Sequence, residues 1–118
     1  DKAMKAGMCI IMMLAVAVPG AHAQQRQAMD ADGIVAILTD RVLRYDGGAT
    51  QRFYASGRTL FTSAEPSWGE WRVVDAQYCS LWPPAADWTC YDVFSDGAEG
   101  VDFVDAQGNR FPGVIAAP

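Results

Sequence analysis

The sequence predicts a mainly β protein: a small antiparallel meander barrel or strongly bent sheet, with one short N-terminal helix and one disulfide. Three observations carry that expectation. Short runs of aromatic and β-branched residues alternate with polar ones along most of the chain. Turn signals built on Gly, Asp, Asn and Pro separate these runs at roughly eight- to twelve-residue spacing. Finally, Cys79 and Cys90 sit near the two ends of the stretch YCSLWPPAADWTCY, Tyr78 to Tyr91, which reads as two strand ends around a proline-broken loop.

The chain of 118 residues opens on a segment of different character. Lys2 and Lys5 precede the apolar run CIIMMLAVAV, Cys9 to Val18; Pro19 and Gly20 break it, and Ala21-His22-Ala23 follows. A basic start, a short apolar core and an A-x-A site are the three parts of a secretory signal. The apolar run is too short to serve as a permanent membrane anchor. Cys9 follows Met8 and lacks the small residues that precede a lipid-modified cysteine. We therefore expect a signal peptide over 1–23, a single β domain over 24–118, and a periplasmic or secreted protein without a membrane span in its mature form.

Element by element, Gln24 to Gln27 is a polar start. Asp30 and Asp32 then precede Ile34, Ile37 and Leu38, the spacing of a short amphipathic helix with an aspartate cap. From Arg41 the period changes to two. RVLRY (Arg41 to Tyr45) runs into Asp46-Gly47-Gly48, a hairpin signal. QRFYA (Gln51 to Ala55) and RTLFT (Arg58 to Thr62) flank Ser56-Gly57. WGEWRVV (Trp68 to Val74) turns at Asp75-Ala76 into QYCSLW (Gln77 to Trp82). WTCYDVF (Trp88 to Phe94), VDFVD (Val101 to Asp105) and NRFPGVI (Asn109 to Ile115) complete the set. Pro112 cannot donate a ladder hydrogen bond, so the last run is expected at a sheet edge or to end early.

With Cys79 opposite Cys90, the antiparallel register sets Tyr78 beside Tyr91 and Leu81 beside Trp88, both favourable cross-strand pairs. The cysteine and aromatic registers agree, so a staple closing this loop is expected; it is worth roughly 2.5–3 kcal/mol in the chain-entropy model. A reactive dithiol would call for C-x-x-C near a helix start, which is not this spacing.

What the mature segment lacks narrows its chemistry. Removing residues 1–23 takes away Lys2, Lys5, Cys9 and His22, and leaves no lysine, no histidine, and Cys79 and Cys90 as the cysteines. That excludes Ser-His and Cys-His nucleophilic pairs, imidazole metal ligands and lysine Schiff bases. A net charge of −5 on the whole chain argues against binding to a phosphate backbone. No cofactor and no metal site is expected. The carboxylates Asp92, Asp96, Glu99, Asp102 and Asp105 read as a solvated face, with Asp102 turned away from Val101 and Phe103. The arginines read as outer-face residues paired with neighbouring acids.

Aromatic residues are the remaining candidates for a site. Most are expected to fill the core, which in a small β domain needs large side chains. Trp71, Tyr78, Trp82, Trp88 and Tyr91 are the candidates to line a barrel mouth, and Trp82 and Trp88, beside the double proline, are expected to face solvent. The expected function is non-catalytic binding of a small apolar ligand or an envelope partner. The alternatives are an inhibitor of an envelope-degrading enzyme presenting the Trp82 to Trp88 loop, and a carboxylate-dependent hydrolase.

The run from Arg41 to Gly113 resembles a family of small exported proteobacterial proteins. The resemblance rests on Gly69-Glu70-Trp71-Arg72, on the cysteines with adjacent tryptophan and tyrosine, and on VDFVDAQGNRFPG, Val101 to Gly113. It implies a minimal lipocalin- or calycin-like barrel preceded by a short helix. Its motifs are structural in kind and imply no catalytic residue.

Overall fold

The computed structural model describes residues 26–116; the leader expected over 1–23 lies outside them. The chain runs β1 (Gln27–Ala28), α1 (Ala31–Leu38), β2 (Val42–Tyr45), β3 (Thr50–Phe53), β4 (Arg58–Thr62), β5 (Pro66–Val74), β6 (Gln77–Leu81), β7 (Thr89–Ser95), β8 (Gly100–Val104) and β9 (Arg110–Ile115). Strands β2 to β9 pair antiparallel in sequence order, and β9 pairs back onto β2. The result is a closed eight-stranded meander barrel. β1 adds a short pairing to β7 beyond the end of β6, with Gln27 opposite Ser95 and Ala28 opposite Phe94.

Turn chemistry sets the ladder. The hairpin between β5 and β6 turns on Asp75 and Ala76, both at positive φ (49° and 59°), a conformation that costs side chains strain. It holds a ladder running from Val74 opposite Gln77 to Glu70 opposite Leu81. Pro112, expected to mark an edge, instead lies inside β9, opposite Asp102. The backbone explains why. Ile115 N–H donates to Glu99 on the β8 side, and Ala116 N–H donates to Val42 on the β2 side. Pro112 shares the parity of Ala116, so its missing N–H faces past Tyr45, where the β2–β9 ladder has ended.

One end of the barrel is plugged. Asp30 caps α1, its carboxylate accepting from Gly33 N–H at 2.8 Å. The helix drives Ile34 and Leu38, both fully buried, against Leu43, Phe53, Trp71, Val93, Val101 and Ile115. Phe53 meets Trp71 and Tyr78 edge to face, with centroids 5.5 and 5.7 Å apart. The indole N–H of Trp71 donates to Tyr54 O at 2.8 Å. The inward positions at this end form a filled core, where packing is the dominant source of stability.

The disulfide joins Cys79 and Cys90 across directly opposed positions, Cα atoms 4.0 Å apart. Tyr78 stands opposite Tyr91 as the register predicts, but the ladder stops at Ser80 opposite Thr89, before Leu81 and Trp88 would pair. The acidic face also differs from expectation. Asp102 points outward, yet is only 5% exposed: Arg26, from the segment before β1, and Arg110, on β9, both donate to its carboxylate. Asp96 accepts from the N–H groups of Ala98 and Gly100, and Asp105 from those of Gln107 and Asn109. These carboxylates hold turns and an ion-pair cluster.

Candidate ligand-binding cavity

The end opposite the helix is open. Here the chain turns between β2 and β3, β4 and β5, β6 and β7, and β8 and β9, and inward side chains enclose a cavity of about 580 Å³. Alternation brings them together: each strand contributes residues on the face that also carries its core anchor. Tyr45 shares its face with Leu43 in β2, and Gln51 with Phe53 in β3. Phe61 follows Thr59 in β4, while Tyr78 and Ser80 come from β6, Tyr91 from β7, Phe103 from β8 and Phe111 from β9.

The walls are aromatic. Phe103 stacks on Tyr78 at 4.4 Å and 21°, and Tyr78 stacks on Tyr91 at 5.7 Å and 24°. Tyr45 tilts against Phe61 and Phe103 at 6.0 and 6.4 Å. Trp82 continues the wall, meeting Phe61 edge to face at 6.2 Å. Gly69 makes room for it. A Cβ there would lie 2.6 Å from both the Trp82 ring and Leu81 O, so the bare backbone of β5 is what lets the indole fold inward.

The floor is polar and uncharged. Gln51, 3% exposed, donates from Nε2 to Thr59 Oγ1 at 2.9 Å and to the Tyr78 hydroxyl at 2.8 Å, while its Oε1 accepts from Tyr45 at 2.5 Å. Thr59 Oγ1 donates to Arg52 O, and Trp82 Nε1 donates to Ser80 Oγ at 3.1 Å. Burial pushes the Tyr78 phenol up to about 12, against hydrogen bonds from Ser80 and Gln51, and also raises Tyr45 and Tyr91 above the ordinary tyrosine value. All three are neutral phenols across the physiological range.

Among the residues expected to bind ligand, Tyr78, Tyr91 and Trp82 line this cavity. Trp71 lies in the filled core at the far end. Trp88 lies on the outer wall, with the Arg72 guanidinium 3.9 Å above its ring. Neither Trp82 nor Trp88 is freely exposed; both are half-buried, and the exposed tip between them is Pro83 to Asp87. Other arginines also sit over rings: Arg58 over Trp68 at 4.1 Å and Arg52 over Tyr54 at 5.4 Å. Tyr45, Gln51, Ser80 and Phe61 were not singled out in the sequence. Alternation was the available signal, since a glutamine two residues before a core phenylalanine on one strand must face inward with it.

Among the described residues, no group of three or more His, Cys, Asp or Glu side chains could hold a metal ion, and no helix is long and apolar enough to cross a membrane. Fold and site together define a closed antiparallel barrel, stoppered by a helix at one end and hollow at the other. Comparison of the chain with protein-family models, with curated proteins and with solved structures gives no match.

Proposed function

We propose that this domain is an exported, non-catalytic carrier or sensor that holds a small, largely apolar molecule in the open end of its barrel. The observation that carries this reading is the cavity itself. Its volume of about 580 Å³ falls within the range of small-molecule sites. Its walls are aromatic, and its polar groups converge on one place at the floor, an arrangement suited to orienting a ligand. Tyrosines apart, its ionisable lining is the single carboxylate of Asp46 at the rim, a poor basis for acid–base chemistry. Export is supported by the cross-strand disulfide, which persists in oxidising compartments, and by the leader-like sequence over 1–23.

Nile red, an uncharged dye that brightens and shifts to the blue in apolar surroundings, tests the reading. The protein should bind it with such a shift. Ala49→Trp, which places an indole at the cavity wall, should abolish the shift while leaving the melting temperature within a few degrees. Dye binding that Ala49→Trp leaves intact, or no binding at all, would refute the assignment.

A further inference from the structure

We infer that the cavity takes a flat, uncharged ring system carrying a carbonyl oxygen, and that the paired hydroxyls of Tyr78 and Ser80 supply the hydrogen bond which orients it. The inference rests on the ligand-binding reading above and specifies its ligand.

A count of protons at the floor leads there. Both amide hydrogens of Gln51 are committed, to Thr59 and to Tyr78, and its carbonyl is taken by Tyr45. Thr59 donates to a backbone carbonyl, and the Trp82 indole to Ser80. Two hydroxyl protons remain, those of Tyr78 and Ser80. Tyr78 already accepts from Gln51 and lies beside Ser80, so one of the two protons can serve the bond between them, whichever hydroxyl gives it. The other proton of the pair is then left over, with no further acceptor hydrogen-bonded to it among the described residues. Tyr78 and Ser80 are each 2% exposed, and both line the cavity. A buried donor without an acceptor is costly, and an oxygen brought by the ligand removes that cost.

The rest of the lining sets the ligand's charge and shape. No lysine, arginine or histidine lines the cavity, and Asp46 stands at its rim. A carboxylate or phosphate would leave water without a cation to meet it and would pass a like charge on the way. The acceptor is therefore a neutral carbonyl. Aromatic rings line the space in succession, Trp82 against Phe61, Phe61 against Tyr45 and Tyr45 against Phe103, and such a wall favours a planar aromatic guest in offset-stacked or edge-to-face contact.

Calorimetry with three probes of one skeleton tests this: fluorene, fluorenone and a fluorene-carboxylate. Fluorenone should bind roughly three- to tenfold tighter than fluorene, the gain of one net hydrogen bond. Tyr78→Phe and Ser80→Ala together should erase that gain, Ser80→Thr alone should keep it, and the carboxylate should bind most weakly. The inference is overturned if fluorene binds and fluorenone gains nothing, if the double variant retains the gain, or if the carboxylate matches the ketone. Should the double variant not fold, the comparison of fluorene with fluorenone on the unaltered protein decides. If neither fluorene nor fluorenone binds, the ligand-binding reading fails and this one with it.

Discussion

Asp102 shows how a single residue can be read correctly in direction and wrongly in environment. Alternation places it on the face opposite Val101 and Phe103, and there it lies. The outer face is nonetheless covered at that point, because Arg26 returns from the start of the domain and Arg110 reaches across from β9. Nothing local to VDFVD announces a partner so distant in sequence. Removing the shared carboxylate leaves two guanidiniums facing each other, with Asp96, 4.0 Å from Arg26, as the nearest remaining counter-charge. Asp102→Ala should therefore lower stability by roughly 2–3 kcal/mol, at the lower end for a paired buried charge since both guanidiniums keep some water. Arg110→Ala, whose side chain is 49% exposed, should cost less than 1 kcal/mol or about that. Urea denaturation of the two variants measures the difference. If they lose stability equally, Asp102 is not the hub of the cluster.

Among the elements, strands were more legible than their loops. RTLFT coincides with β4, and Gln77 and Val101 fall at or within one residue of the observed strand starts, because period-two patterning and glycine turns act locally. β5 begins earlier than expected, at Pro66, where a proline needs no ladder donor as the first residue. Trp88 departs from its expected pairing because a stack under Arg72 was open to it, a choice that only the neighbouring strand reveals. The β6–β7 pair also carries Tyr78, Ser80 and Tyr91 into the cavity, so its staple bears on the site as well as on stability. Replacing Cys79 and Cys90 together by serine should cost roughly 2–3 kcal/mol. It should also weaken Nile red binding, as the stacked tyrosines lose their fixed spacing. A variant that loses stability but binds dye as before would separate the staple from the site.

The whole molecule is where sequence reading stopped. A meander of alternating strands is compatible with a bent sheet or a closed ring, and with an interior either filled or hollow. Closure depends on β2 meeting β9, with Leu43 opposite Ile115, and the hollow depends on how large side chains distribute between the two ends. Only the packing of all strands together decides either point. The buried tyrosines give the assembled barrel a pH signature. In the unfolded chain a phenol loses its proton near 10, whereas Tyr78 in the fold does so only near 12, for burial disfavours the phenolate. The unfolded state thus holds fewer protons in that window, and stability, intact below pH 10, should fall as pH rises from 10 to 12. At the acid side the signs reverse. Asp105, held below the usual carboxylate range chiefly by Asn109, and Asp96, held there chiefly by the Ala98 N–H, favour the fold above about pH 4 and release it below. Urea midpoints across both ranges, with ultraviolet tyrosinate absorbance at the alkaline end, check the claim. Full ionisation of the phenols near pH 10 in still-folded protein would contradict it.

The seam between β2 and β9 also imposes an order of events. Its two lips lie almost the length of the domain apart, so a growing chain can lay down hairpins one after another yet has no ring until residues 110–115 arrive. Closed ring, filled core and cavity come into being together, at the last strand.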